Sequence, residues 1–282
     1  MKRVFSWILK VFIGLLVFSI VWVFLYRWIN PPITWLHVSD RFSVEDCDYH
    51  YEWVDLSSIS SYVPLAVISS EDNLFLEHNG FDWESIERAR KYNETHKNKR
   101  GASTISQQTA KNVFLWPSRS WIRKGLEAYF TILIEWMWPK ERIMEVYLNV
   151  IEMGPCVYGV GAVSDLYFNT TPEKLTREQA ALIASCLPNP KRFTLARPTA
   201  YMQKRKSQIM RVMSCLGNDF FSKHLEKKQK EVEEKSDEPV QAKLKKVKEE
   251  DLIKPAEIES LEEEDVPDTT IHEVPSDTSN SR

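Results

Sequence analysis

An all-α fold is predicted for the folded part of this 282-residue chain by three observations. Between residues 40 and 220 apolar side chains recur at three- and four-residue steps, the period of a helix face. Helix start and stop residues bracket those stripes: Pro64, Pro139 and Thr176-Arg-Glu-Gln179 at the starts, Gly154, Pro188 and Gly217 at the ends. The period-two alternation that a sheet needs is scarce, and no internal repeat is visible.

The first element is a membrane helix. Val11 to Tyr26 is apolar apart from Gly14, Ser19 and the closing tyrosine, and Val4–Leu9 extends the run across Lys10. About 20 predominantly apolar residues cross a bilayer, so residues 1–30 read as one span with Lys10 snorkelling to the interface. Lys2, Arg3 and Lys10 precede the apolar core and place the N-terminus in the cytoplasm, although Arg27 just beyond it weakens the asymmetry. Tyr26-Arg27-Trp28-Ile29-Asn30-Pro31 offers no small-residue cleavage site, which favours an uncleaved signal-anchor over a cleaved signal peptide.

Residues 40–220 make one domain of ordinary size. Leu65, Ile68 and Phe75 share one face of a helix opened by Pro64, which sets Glu71 near its end, before the His78-Asn79-Gly80 turn. Ile122, Leu126, Tyr129, Leu133 and Met137 stripe a second helix, and Ile143, Met144, Tyr147, Leu148 and Ile151 a third. Ala180–Leu187 follows its capping box, and Met202, Ile209, Met213 and Leu216 stripe the last helix. Phe81–Arg100 interrupts this order. Arg88, Arg90, Lys91, Lys97, Lys99 and Arg100 crowd a segment poor in apolar residues, which reads either as a mobile solvated loop or as a flap over an anionic ligand.

From Ser222 onward the material changes. The segment 222–282 holds 11 Lys+Arg against 18 Asp+Glu, a net of −7, and no aromatic residue. Such a composition cannot bury enough apolar surface to offset chain entropy, so a solvated, disordered tail is expected, with transient helix at most in Lys227–Lys235 and Lys243–Asp251. The remaining residues carry +4, a mild bias that suits an anionic ligand or a membrane surface. Four cysteines, at 47, 156, 186 and 215, form no C-x-x-C pair and give no zinc or redox pattern. A disulfide is open to a domain outside the cytoplasm, but buried free thiols are expected, since Cys186 and Cys215 lie in apolar helical stretches.

The chemistry-bearing residues fall in clusters. Glu71-Asp72-x-x-Phe75-x-x-His78-x-Gly80 sets two carboxylates, an aromatic, an imidazole and a turn glycine at short spacings. Either Glu71 is a general base, or the pair merely caps a helix and binds a basic side chain. Gly101-Ala-Ser103-Thr104-Ile-Ser106-Gln107-Gln108-Thr-Ala-Lys111-Asn112 is rich in directed donors and acceptors. Lys111 and Arg119 either clamp a phosphate or are ordinary surface cations. Arg123 and Glu127, four apart, either pair on a helix surface or add a second acid beside two cations. Trp116, Trp121, Trp136 and Trp138 read as core or membrane-interface anchors. No Gly-rich phosphate loop, H-E-x-x-H or EF-hand series is present, and S-x-x-K and K-T-G are absent, which argues against nucleotide-sugar and penicillin-binding acyl-transfer chemistry.

Five blocks in order resemble the family 51 glycosyltransferases, the peptidoglycan polymerases that extend glycan from lipid II. They are the Glu71–Gly80 block, Gly101-x-Ser103-Thr104-Ile105-Ser106-Gln107-Gln108, Arg123-Lys124-x-x-Glu127, Lys140-x-x-Ile143-Met144-Glu145-x-Tyr147-Leu148-Asn149, and Arg205-x-x-x-Ile209-Met210-x-x-Met213. Without a penicillin-binding domain the chain resembles the monofunctional type. The resemblance implies a lysozyme-like, mainly helical domain on the outer face of the bacterial inner membrane. It implies that Glu71 deprotonates the lipid II 4-hydroxyl and that Glu127, the second catalytic-site residue, supports the donor site and orients neighbouring groups. It implies substrate contacts from Asp72, Ser103, Thr104, Gln107, Gln108, Lys111, Asn112, Arg119, Arg123 and Lys124, with His78 structural. No organic cofactor is implied; a divalent cation, Mg or Mn, goes with the diphosphate in this family, but no ligand set can be read. The implied partners are lipid II, the growing glycan, the membrane and cell-wall elongation or division proteins, not nucleic acid. Gly125-Leu126 departs from members that carry a further basic residue there. A lysozyme-like lytic glycosidase and a catalytically silent membrane scaffold are the competing readings.

Overall fold

The computed structural model describes residues 2–35, 37–38, 48–118 and 120–231. Helix α1, Lys2–Leu25, is long and apolar enough to cross a membrane, and nearly all of it is exposed. At 1.5 Å per residue its 24 residues extend about 36 Å. Only its last turns meet the rest of the molecule. There Val23 is buried, its carbonyl accepts from Trp138 Nε1 at 2.8 Å, and Trp22 packs edge-on against Phe114.

The core is built around α2, Tyr62–Glu71. Sequence periodicity predicts one buried face, yet every residue from Val63 to Ser69 is buried. A helix apolar all round is a central one. It lies against α8, Arg177–Cys186, and α9, Ala200–Leu216. Pro64 occupies the third helical position, where its missing N–H is one of the four that a helix start leaves unpaired anyway.

Phe81–Arg100 departs from the loop or flap expected of it. Residues Trp83–Thr95 form α3, opened by the Asp82 carboxylate accepting from Ser85 N at 2.9 Å. None of its residues is buried. Its charges pair along the helix, Arg88 with Glu84 and Arg90 with Glu87 and Glu94, and such ladders support a helix that has no apolar face.

A second layer follows: α4 (Ile105–Phe114), α5 (Trp121–Met137) and α6 (Lys140–Val150), with α4 packed on both of the others. Next comes a small sheet that the sequence pattern does not announce. Strands β1 (His50–Tyr51), β2 (Glu152–Gly154) and β3 (Val157–Tyr158) run in the order β1-β3-β2, with β1 parallel and β2 antiparallel to β3. Strands this short carry no legible period. Helix α7, Gly159–Phe168, starts where Gly159 adopts φ +77°, and a Cβ there would lie 2.6 Å from the Asn149 carbonyl oxygen.

The folded part runs past the boundary expected at Ser222. Helix α10 spans Phe220–Glu231, with Phe220 and Phe221 buried in the common core. The rest of the expected tail, residues 232–282, lies outside the described residues. Of the cysteines, Cys156 is disulfide-bonded, the alternative the sequence left open; Cys186 is a buried free thiol, as expected, and Cys215 is free but exposed, which the apolar stretch around it does not predict. Cys47 lies outside the described residues.

Candidate active site

Glu71 ends α2 with its side chain only 13% exposed. Its carboxylate accepts from Ser70 Oγ at 3.0 Å and from Gln108 Nε2 at 3.2 Å, and Arg205 Nη2 lies 3.6 Å away. Gln108 is itself oriented, because Tyr147 Oη donates to its Oε1 at 3.3 Å. Burial, with the Glu71 carboxylate beside it, pushes the Tyr147 phenol well above its ordinary range, so it remains a donor. Three helices therefore converge on one carboxylate. Arg205 and Tyr147 stand in the fourth and fifth sequence blocks, but no spacing rule brings them to Glu71.

Asp72 faces elsewhere. Its carboxylate accepts from His78 Nε2 at 2.9 Å and from the Ile105 N–H at 2.9 Å, at the N-terminus of α4. His78 Nδ1 accepts from Gly80 N at 3.0 Å, which leaves the ring proton on Nε2, pointed at Asp72. This buried link fixes the α2–α4 junction. His78 is structural, as the resemblance implies, and Asp72 acts with it. Thr104 and Gln107 are likewise engaged, as the reciprocal capping box of α4, and Thr104 Oγ1 donates to Gly80 O at 2.7 Å. Ser103 is exposed just before them.

Beyond Gln108 opens a cavity of about 480 Å³ lined by Lys111, Asn112, Arg123 and Glu152, with Leu115, Ile151, Leu187 and Pro188 among its apolar walls. Asn112 is 4% exposed, and its Nδ2 has no hydrogen-bond partner among the described residues. Burial pushes the Lys111 ammonium below the ordinary lysine value; Glu127 and Glu152 oppose that shift, and Arg123 and Lys124 add to it.

Arg123 and Glu127 are not the surface pair their spacing permits. Glu127 is 3% exposed, hydrogen-bonded to Lys124 Nζ and 3.6 Å from Arg123 Nη1. The structure thus places Gln108, which holds Glu71, on the cavity wall together with Lys111, Asn112 and Arg123, with Glu127 and Lys124 paired beside Arg123. Arg119 lies outside the described residues. Sequence reasoning missed Glu152, since a lone carboxylate on a two- or three-residue strand has no signature.

Among the described residues no three His, Cys, Asp or Glu side chains converge as a metal-binding set. Glu71, Asp72 and Glu127 are each held by protein donors.

The chain is similar to a biosynthetic peptidoglycan transglycosylase of Bdellovibrio bacteriovorus, 55% identical over 73% of this chain and 84% of the relative. A protein of the same name from Bacteroides thetaiotaomicron is 55% identical over 70% of this chain and 79% of the relative. One from Shewanella oneidensis is 46% identical over 77% and 94%. The transglycosylase family profile matches residues 41–214, which include every described site residue above, and the chain belongs to that family.

Proposed function

We propose that this enzyme polymerises peptidoglycan glycan strands from lipid II, with inversion at the anomeric carbon. Its relatives are named biosynthetic peptidoglycan transglycosylases. The observation that carries the reading is the pairing of a donor-held carboxylate, Glu71, with a cavity lined by Lys111 and Arg123. Glu71 takes the proton of the acceptor 4-hydroxyl, and the freed oxygen attacks the anomeric carbon of the growing chain. The bond from that carbon to the diphosphate breaks, and its electron pair leaves on undecaprenyl diphosphate. A hydroxyl is a weak nucleophile, so a positioned base contributes about 10²–10⁴-fold. Charge develops on the leaving diphosphate, where preorganised cations lower the barrier. Lys111 and Arg123 are those cations, and Glu127 holds Arg123 and Lys124 in place.

A lytic glycosidase would need an acid that donates its proton to the scissile oxygen. Every group around Glu71 donates instead, the setting of an acceptor. A silent scaffold would have no use for a buried cation facing an open cavity.

Helix α1 anchors the domain in the inner membrane with the N-terminus cytoplasmic and the catalytic domain outside. Trp121, Ile122, Ile132 and Trp136 on α5, the helix that packs against α1, are exposed and meet the lipid surface. The decisive experiment supplies the purified full chain with lipid II. Long glycan and undecaprenyl diphosphate are expected, and Glu71→Gln should reduce the rate by at least about 10²-fold with an unchanged circular dichroism spectrum. Muropeptide release from finished sacculi without polymer from lipid II would overturn the reading.

A further inference from the structure

A base that takes up and loses a proton in every cycle needs neighbours that are satisfied in both of its states. Ser70, the residue before Glu71, is placed for that exchange. Its hydroxyl has one hydrogen to give and two lone pairs. Arg205 Nη2, on α9, donates to Ser70 Oγ at 3.0 Å and occupies one of those lone pairs. The hydrogen then faces two acceptors, Glu71 Oε1 at 3.0 Å and the Ala184 carbonyl oxygen at 3.3 Å. It serves one of them at a time.

The second acceptor follows from the sequence. In α8 the Ala184 carbonyl would accept from the N–H four residues on, but that residue is Pro188, which has none. The end of α8 thus turns a carbonyl without its helical donor toward α2, against which it packs. On the other side of the carboxylate the donor is of a different kind. Gln108 Nε2 donates to Oε2, and Tyr147 Oη fixes that amide. An amide held in this way cannot turn aside, whereas a hydroxyl hydrogen rotates about its C–O bond.

We propose that Ser70 is a positioning residue for the base, itself oriented by Arg205: its hydrogen points to Oε1 while Glu71 is ionised and turns to the Ala184 carbonyl once Glu71 holds the proton of the acceptor hydroxyl. The first position keeps the carboxylate charged and in place before transfer. In the second, with the proton on Oε1, the remaining lone pair of Ser70 Oγ accepts from it until it passes to solvent. No heavy atom moves, and no covalent bond changes beyond the O–H bonds of the transfer itself. The assignment rests on the glycan-transfer reading above, and the two fail differently.

The test follows polymerisation of lipid II by the full-length protein as a function of pH. Ser70→Ala puts the best helix former into α2 and should leave the circular dichroism spectrum unchanged. Its kcat should fall about 10-fold, the effect of losing one hydrogen bond to a charged group, with little change in KM for lipid II. The acid limb of kcat/KM should move to higher pH, because a donor to the ionised form has gone. The ionisable groups beside Glu71 are Arg205 on α9, Tyr147 on α6, Cys186 on α8 and the adjoining Asp72. The first three keep their charge state at acid pH, and the partners of Asp72, His78 and Ile105, are untouched by the substitution. Ser70→Thr keeps the hydroxyl and should recover kcat to within about 3-fold of wild type, with the acid limb restored. Arg205→Lys keeps a charge but loses the planar fork, and its effect should be non-additive with that of Ser70→Ala. Wild-type kcat and acid limb in Ser70→Ala would overturn the assignment. So would a Ser70→Thr variant no better than Ser70→Ala, or losses that simply multiply in the double variant. Failure of wild-type protein on lipid II itself would instead remove the polymerase reading.

Discussion

Adjacent carboxylates with unlike duties are the clearest lesson at the scale of residues. Glu71 ends its helix facing Gln108 and Arg205, whereas Asp72, one position on, has φ −161° and turns its carboxylate toward His78 and Ile105. Removing one member of a buried charged link leaves the others unpaired. Asp72→Ala should therefore cost about 3–5 kcal/mol in urea unfolding, with activity lost through misfolding of the α2–α4 junction rather than through chemistry. Cys186 supports a second prediction. Burial pushes its thiol from 9.0 up to about 12. On unfolding at pH above about 9 the thiol ionises, whereas in the folded protein it stays neutral until about 12. Unfolding thus releases a proton in that window, and stability falls as pH rises through it, by about 1.4 kcal/mol per pH unit. Tyr147, raised for the same reason, acts with the same sign above about 10. Cys186→Ala should flatten the measured slope between pH 9 and 10. Lys111 is displaced in the opposite direction, so its charge is lost at a lower pH than an ordinary lysine's. The alkaline limb of kcat/KM should move to higher pH in Lys111→Arg, because guanidinium does not deprotonate in this range.

Elements show how much local sequence decides when a cap or a stripe is strong. The capping box expected at Thr176–Gln179 forms, and Thr104–Gln107, read from the sequence only as part of a polar run, forms a second. Thr104 also donates to Gly80 O, so Thr104→Ala should cost about 1–2 kcal/mol, at the upper end for a cap, with the loss seen in thermal melting. Helix α3 shows the converse. Its polarity reads as loop, and only the spacing of Glu84/Arg88 and Glu87/Arg90/Glu94 hints at a ladder of pairs. Helix α10 begins with Phe220 and Phe221, just before the aromatic-free stretch whose composition reads as disordered. Those two anchors carry the helix into the charged sequence.

For the whole molecule the junction between anchor and domain matters most. Arg142 is 8% exposed and donates to Tyr26 O through Nε and Nη2, to Ile29 O at 2.9 Å and to Asn30 Oδ1 at 2.9 Å. Its guanidinium also lies over Trp53. It thereby pairs carbonyls of the turn that follows α1 and ties the end of the membrane helix to α6. With Trp138 on Val23 O, this sets the height of the cavity relative to α1. Arg142→Ala should raise amide hydrogen exchange over Tyr26–Asn30 in detergent or bilayer, while exchange in α2 changes little. Equal deprotection of both would show a global rather than a junctional role.

The membrane helix, the striped helices, the Thr176–Gln179 capping box and the motif residues were legible in the sequence, because each rests on a local period or on a cap within four residues. Tertiary structure alone decided which carboxylate Gln108 holds, that Glu127 is buried, that Arg205 and Tyr147 reach Glu71 and Gln108, and that Glu152 stands beside Lys111 on the cavity wall. Those contacts join positions tens to more than a hundred residues apart, and no local period records which side chains two packed helices bring together. The opening carboxylate pair was visible from composition and spacing; its division into an acceptor held by Gln108 and a structural link to His78 and Ile105 came from the tertiary contacts at the end of α2.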